Sequence, residues 1–153
     1  MGRVANRYGH VRRGMRPDLG RKFNSGWEAD FARFLNLLEA NGIIEGWDYE
    51  PQRFYFQDMG YKTGAMNYLP DFVVRMPAGK SFKLSEDTFS TNGVPKDMWF
   101  EIKGREFSSD RTKWKRFKKA TGKEINVIRR EHIIDIRDRF SHLIPNWESW
   151  GTR

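Results

Sequence analysis

The chain has no cysteine among its 153 residues. That excludes disulfides and thiolate-held metal centres, and the usage fits a reducing compartment. Long hydrophobic runs are also missing. No stretch approaches the ~18 apolar residues of a membrane span, and the opening "MGRVANRYGHVRRGMR" lacks the apolar core of a secretory signal. A soluble, cytoplasmic protein is the expectation. Histidine is scarce: His10, His132 and His142 show no ligand spacing and are assigned no role. Aromatic residues are not scarce. Twelve Phe, six Trp and five Tyr supply large apolar groups, so the low mean hydropathy does not signal disorder. One domain of this length hides roughly two-thirds of its unfolded surface.

Negative charge is in short supply too, with 28 Lys and Arg against 20 Asp and Glu, a formal +8. Such a surplus points to a polyanionic partner. Residues 1–22 carry seven basic residues against one acid, and residues 103–130 carry eleven against three. Their nets are +6 and +8, so the remainder sums to −6. A net-acidic body with two basic segments suggests a directed electrostatic footprint. Solvated tail and helix charges are the plainer alternative.

Residues 1–22, without apolar periodicity, read as a flexible basic arm, and 23–153 as a single domain. "SGWEADFARFLNLLEANG" starts a helix, with Ser25 as its cap, Glu28 at the capping-box position and Asn41-Gly42 as the stop. Trp27, Phe31, Phe34, Leu35 and Leu38 make its core face. Residues 46–58 are strand-like, with Pro51 marking an edge or bulge, and 67–76 form a second strand that runs through Asp71. The polar stretch 77–97 is a loop or hairpin excursion with Asn92-Gly93 as a turn, and 98–103 form a third strand. "SDRTKWKRFKKATGK" is a helix capped by Ser109 or Asp110, with Trp114, Phe117 and Ala120 inward. A strand at 124–130 and a helix from "REHIIDIRDRFSHLI" close the chain. The order describes an α/β sandwich around a mixed sheet flanked by helices.

Two of these strands carry charges where a core should be dry. An ionised carboxylate costs several kcal/mol to desolvate unless something pairs with it. Alternation puts Glu101 and Lys103 on one face with Trp99, while Phe100 and Ile102 point into the core. Asp71, on a neighbouring strand, can bring its carboxylate to Glu101. Two carboxylates that close repel unless a proton or cation lies between them. Mg²⁺, held by one or two carboxylates plus water and substrate phosphate, is the natural counter-ion. Lys103 would then steady developing phosphate charge, a combination suited to metal-assisted phosphodiester hydrolysis. Plainer roles stay open: Glu28 as a helix cap, Asp71 as a strand end, Glu101 and Lys103 as an edge-strand ion pair.

Pro70-Asp71 followed by Glu101-Ile102-Lys103 resembles the PD-(D/E)xK nuclease superfamily. The likeness spans Ser25 to Arg130, about two-thirds of the chain. The blocks "NRYGHVRR", "SGWEADF", "YEPQRFYF", "YLPDFVV" and "FEIKGR" resemble those of small phage endonucleases, including the endonuclease I type of Holliday-junction resolvase. The resemblance implies a restriction-endonuclease-like core and an active-site set of Glu28, Asp71, Glu101 and Lys103. It also implies a metal held by Asp71, Glu101 and the Ile102 carbonyl, with Glu28 as an added ligand. The 77–97 excursion makes the Asp71 to Glu101 gap longer than is usual there.

The expected function is a Mg²⁺-dependent DNA endonuclease, with Mn²⁺ as a substitute, acting on DNA that extends to branched forms. A phage-encoded copy would work in the host cytoplasm. Arg12, Arg13, Lys113, Lys115, Arg116, Lys118 and Lys119 are the expected nucleic-acid contacts, and a homodimer is expected because paired cleavage needs two sites. The alternatives are a catalytically inactive nuclease-fold module that binds nucleic acid, and a metal-independent RNA-binding protein.

Overall fold

The computed structural model describes residues 12–152. In chain order the first elements are β1 (Gly14–Arg16), β2 (Arg21–Phe23), α1 (Gly26–Ala40) and β3 (Gly46–Tyr49). Next come β4 (Phe54–Tyr55), β5 (Asn67–Tyr68), β6 (Phe72–Met76), β7 (Ser81–Leu84) and β8 (Asp87–Ser90). The chain ends with β9 (Lys96–Ile102), α2 (Ser108–Thr121), β10 (Ile125–Ile128) and α3 (Arg130–Phe140). A four-stranded mixed sheet, ordered β10-β9-β6-β3, forms the centre. Neighbours are antiparallel except β9 and β10, which run parallel across the α2 crossover. This is the expected α/β class.

Alternation along the strands divides the core into two layers. Phe72, Val74, Met76, Phe100 and Ile102 meet Phe31, Phe34 and Leu35 of α1 and Ile133 and Ile136 of α3. Val73 and Trp99, on the opposite face, meet Phe117 of α2 together with Phe56 and Tyr68. Phe31 lies 5.2 Å from Phe72 and 5.5 Å from Phe100 between ring centroids. Truncating one such buried phenylalanine costs about 3–5 kcal/mol.

Several expectations are corrected. The strand expected over 46–58 breaks after Tyr49, where Glu50 takes φ 47° and Pro51 follows. The strand expected over 67–76 breaks at Leu69-Pro70-Asp71, because proline cannot donate to a ladder. The fragments β4 and β5 pair with each other in a separate ribbon, and Asp71 stands at the entry of β6 rather than within a strand. The 77–97 excursion is a β7–β8 hairpin that turns at Ser85; Asn92-Gly93 does make a turn, but between β8 and β9, and the hairpin buries Phe82, Leu84 and Phe89 in the main core. Ala120 is exposed, not inward, and the N-cap of α2 is Phe107, two residues before Ser109, with Asp110 inside the first turn accepting the Phe107 N–H at 2.8 Å.

The basic arm is corrected over its second half. Residues 14–23 form the β1–β2 hairpin, with Phe23 fully buried. Arg16 grips Glu148 through two bonds of 2.9 and 2.7 Å, and Asp18 receives Arg33 at 2.9 and 3.0 Å. Arg33 also holds Asp30, which accepts the Ser149 N–H at 2.8 Å. This buried network fastens the hairpin and residues 148–149 to α1. Residues 1–11 lie outside the described residues.

Candidate active site

The N-terminus of α1 supplies Glu28. Ser25 accepts the Glu28 N–H at 3.1 Å and donates its hydroxyl to Oε2 at 2.8 Å. In a reciprocal capping box the glutamate would accept the cap residue's own N–H. Here the other oxygen, Oε1, receives the Tyr49 hydroxyl at 2.8 Å. That phenol in turn accepts the Asn24 N–H at 3.2 Å, which leaves its proton for Glu28. Glu28 also stands within hydrogen-bonding reach of Asp71. Its pKa is raised, chiefly by burial, against the lowering effect of Ser25 and Tyr49.

Asp71 owes its place to strand register. The last pair of the β6–β9 ladder is Phe72 with Phe100, so one step further Asp71 faces Glu101. Its Oδ2 accepts the Ile102 N–H at 2.8 Å, taking over a backbone donor that the ladder has abandoned. Burial, then the charges of Glu101 and Glu28, hold its pKa well above the usual carboxylate range. Glu101 is buried on the Trp99 face of β9, and its Oε2 receives the Tyr68 hydroxyl at 2.6 Å. Burial pushes its pKa up to about 7.

Lys103 follows β9 and is only partly exposed. Its Nζ lies 3.1 Å from Asp110 Oδ1 and 3.9 Å from Glu101 Oε1. Burial would lower its pKa, but Asp110, Glu101 and Asp71 outweigh it and keep the ammonium charged. The structure therefore gathers all four expected residues. Burial raises the pKa of all three carboxyl groups, and the Glu28 charge raises those of Asp71 and Glu101 further, beside a single ammonium.

The chain matches no protein-family model, no curated protein and no solved structure. No helix among the described residues is long and apolar enough to cross a membrane.

The carboxyl donor set holds only hard oxygens, as Mg²⁺ requires. No group of three or more Asp, Glu or His side chains among the described residues is placed to hold an ion. A Mg²⁺ ion at such a set would draw most of its ligands from water, as Mg²⁺ commonly does.

Three residues of the cluster escape a reading of the sequence: Tyr49, Tyr68 and Asp110. The two tyrosines occupy positions that phenylalanine could fill, and a buried phenol needs a partner, which is the only signal available. Asp110 reads as a helix cap, and its second oxygen is free to hold Lys103 only because α2 packs there.

The expected nucleic-acid contacts divide. Arg116 is committed to the fold: it donates to the carbonyls of Ala65 at 2.6 Å and Thr63 at 2.8 Å and covers the Tyr61 ring at 3.8 Å. Lys118 pairs with Glu124. Lys113, Lys115 and Lys119 have no carboxylate partner among the described residues, and Arg12 and Arg13 are exposed beside the hairpin.

Proposed function

We propose that this chain is a Mg²⁺-dependent endodeoxyribonuclease, with Mn²⁺ able to replace Mg²⁺. The observation that carries the reading is the convergence of Glu28, Asp71 and the Glu101–Lys103 pair from three separate segments, with Asp71 held above the usual carboxylate range by burial and by the charges of Glu101 and Glu28. The order α1, β3, β6, β9, α2, β10 also agrees with the helix–strands–helix–strand core of the nucleases that the motifs resemble.

Asp71 and Glu101 would hold the ion with the Ile102 carbonyl, and Glu28 extends the acidic set toward α1. When bound, Mg²⁺ lowers the pKa of water and offsets phosphate charge. Tyr68 and Tyr49 orient Glu101 and Glu28 by donating one hydrogen bond to each. Lys103, kept charged by Asp110, offsets negative charge that builds on the phosphate.

Mg²⁺ and Mn²⁺ titrations on plasmid DNA test this, with wild type beside Asp71→Asn. Wild type should cleave only with metal, and the variant should still bind DNA but lose cleavage by about 10²-fold or more. Metal-independent cleavage, or a variant within about tenfold of wild type, would refute the assignment.

The branched-DNA form of the proposal draws on basic groups on two flanks, Arg12 and Arg13 by the hairpin and Lys113 and Lys115 on α2. A dimer should then prefer a four-way junction to a linear duplex by about tenfold in Ca²⁺, since phosphate attraction is common to both. Equal affinities would remove the junction preference and leave the nuclease.

A further inference from the structure

Side chains on the β1–β2 ribbon alternate between its faces. The register pairs Arg16 with Arg21 and Met15 with Lys22. Arg16 and Arg21 therefore share the face turned to the body, while Met15, 57% exposed, and Lys22 share the outer face. Like charges directly opposite one another destabilise a ribbon. Arg16 is neutralised by Glu148 at 2.7 Å. Arg21 is not. No carboxylate among the described residues lies within ion-pairing distance of it, and its polar contact is a long one, 3.4 Å to the Tyr49 carbonyl.

Its guanidinium lies instead over the Tyr49 ring, 4.7 Å from the centroid. That is the tyrosine whose hydroxyl donates to Glu28. An exposed, uncompensated arginine is thus held one aromatic ring away from the carboxylates. It stands at the β3 edge of the sheet, with Lys103 on the β9 side. Beyond the long Nη1 contact to the Tyr49 carbonyl, no acceptor among the described residues takes the other N–H donors of this guanidinium, and such donors match a phosphate in pairs.

We propose that Arg21 binds a DNA backbone phosphate flanking the one that reacts, so that the fixed hairpin counters the repulsion of the acidic cluster. The inference rests on the nuclease reading. Its test is equilibrium binding of a short fluorescent duplex in Ca²⁺ across a salt series, using wild type, Arg21→Gln, Arg21→Lys and Lys22→Gln. Arg21→Gln should weaken binding about tenfold, the loss of one charge-assisted contact, and flatten the slope of log K against log salt by about 0.9. Arg21→Lys should restore the slope but only part of the affinity, because lysine lacks the paired donors. Lys22→Gln, the same charge change on the outer face, should leave the slope at the wild-type value. An unchanged slope in Arg21→Gln, or an equal loss in Lys22→Gln, overturns the contact even where wild type cleaves DNA. A wild type that neither binds nor cleaves overturns the nuclease reading as well.

Discussion

Replacing Glu101 by glutamine should stabilise the metal-free protein while abolishing cleavage. Glu101 is buried, and its folded pKa stands near 7 against an ordinary value of 4.5. The folded state therefore binds this proton more tightly than the unfolded chain does. Wild-type stability from this group is full below about pH 4.5 and is lost as pH rises through about 7. The gap corresponds to roughly 3 kcal/mol, at about 1.36 kcal/mol per pKa unit. Glutamine keeps an oxygen for the Tyr68 hydroxyl but gives up the attraction of Lys103, 3.9 Å away. A gain of about 1–3 kcal/mol at pH 8 is expected, a rise of roughly 3–10 °C in melting temperature for a domain of this size. Near pH 5 the two proteins should melt almost together. The assay is thermal unfolding in EDTA from pH 5 to 8, repeated with Ca²⁺, which should raise the wild type at pH 8 and leave the variant unmoved. A variant that melts below wild type at pH 8, or a difference that ignores pH, would refute the picture of a repelling, cation-seeking carboxylate.

Three further outcomes are expected. Lys103→Ala should lower turnover by about 10²–10³-fold, the effect of losing one charge stabiliser, with Ca²⁺ affinity by calorimetry nearly unchanged; collapse of that affinity would mean that the lysine holds the site together instead. Asp110→Asn removes the ionic hold on Lys103 but keeps an oxygen for the Phe107 N–H, so cleavage should fall while the melting temperature moves little. Unchanged cleavage would show that Lys103 needs no such anchor. Deleting residues 1–22 takes Arg16 and Asp18 from Glu148 and Arg33, and should destabilise the domain by about 3–5 kcal/mol, as loss of a partner from a buried ion pair does; an unshifted urea midpoint would show that the hairpin only rests on the surface.

Local chemistry made much of the fold legible. Ser25 caps α1 because its hydroxyl reaches the Glu28 N–H, and Trp27, Phe31, Phe34, Leu35 and Leu38 fall on one face by helical spacing. Glu101 and Trp99 share the α2 face of β9 because strands alternate. The hairpin at residues 14–23 was not legible, since its strands are three residues long and its anchor, Glu148, lies 132 residues from Arg16.

The sequence by itself determined which residue types are available for chemistry: two acids and a lysine on or beside apolar strands, an acid at a helix start, and two basic segments. It did so because period and capping are local properties. Only the tertiary structure decided that these acids meet. Pro70 ends one strand and lets Asp71 enter β6 opposite Glu101, and the packing of α1 against the sheet turns Glu28 away from a pure capping role toward Tyr49. Tertiary packing also decided which cations are spent. Arg16, Arg33 and Arg116 are basic like their neighbours in the chain, yet each is consumed by a partner far away in sequence. Arg21 stays uncompensated because Glu148 reaches its cross-strand neighbour and no acid reaches Arg21 itself. A charge pattern counts groups, whereas a fold pairs them, and pairing depends on distances that no local stretch contains.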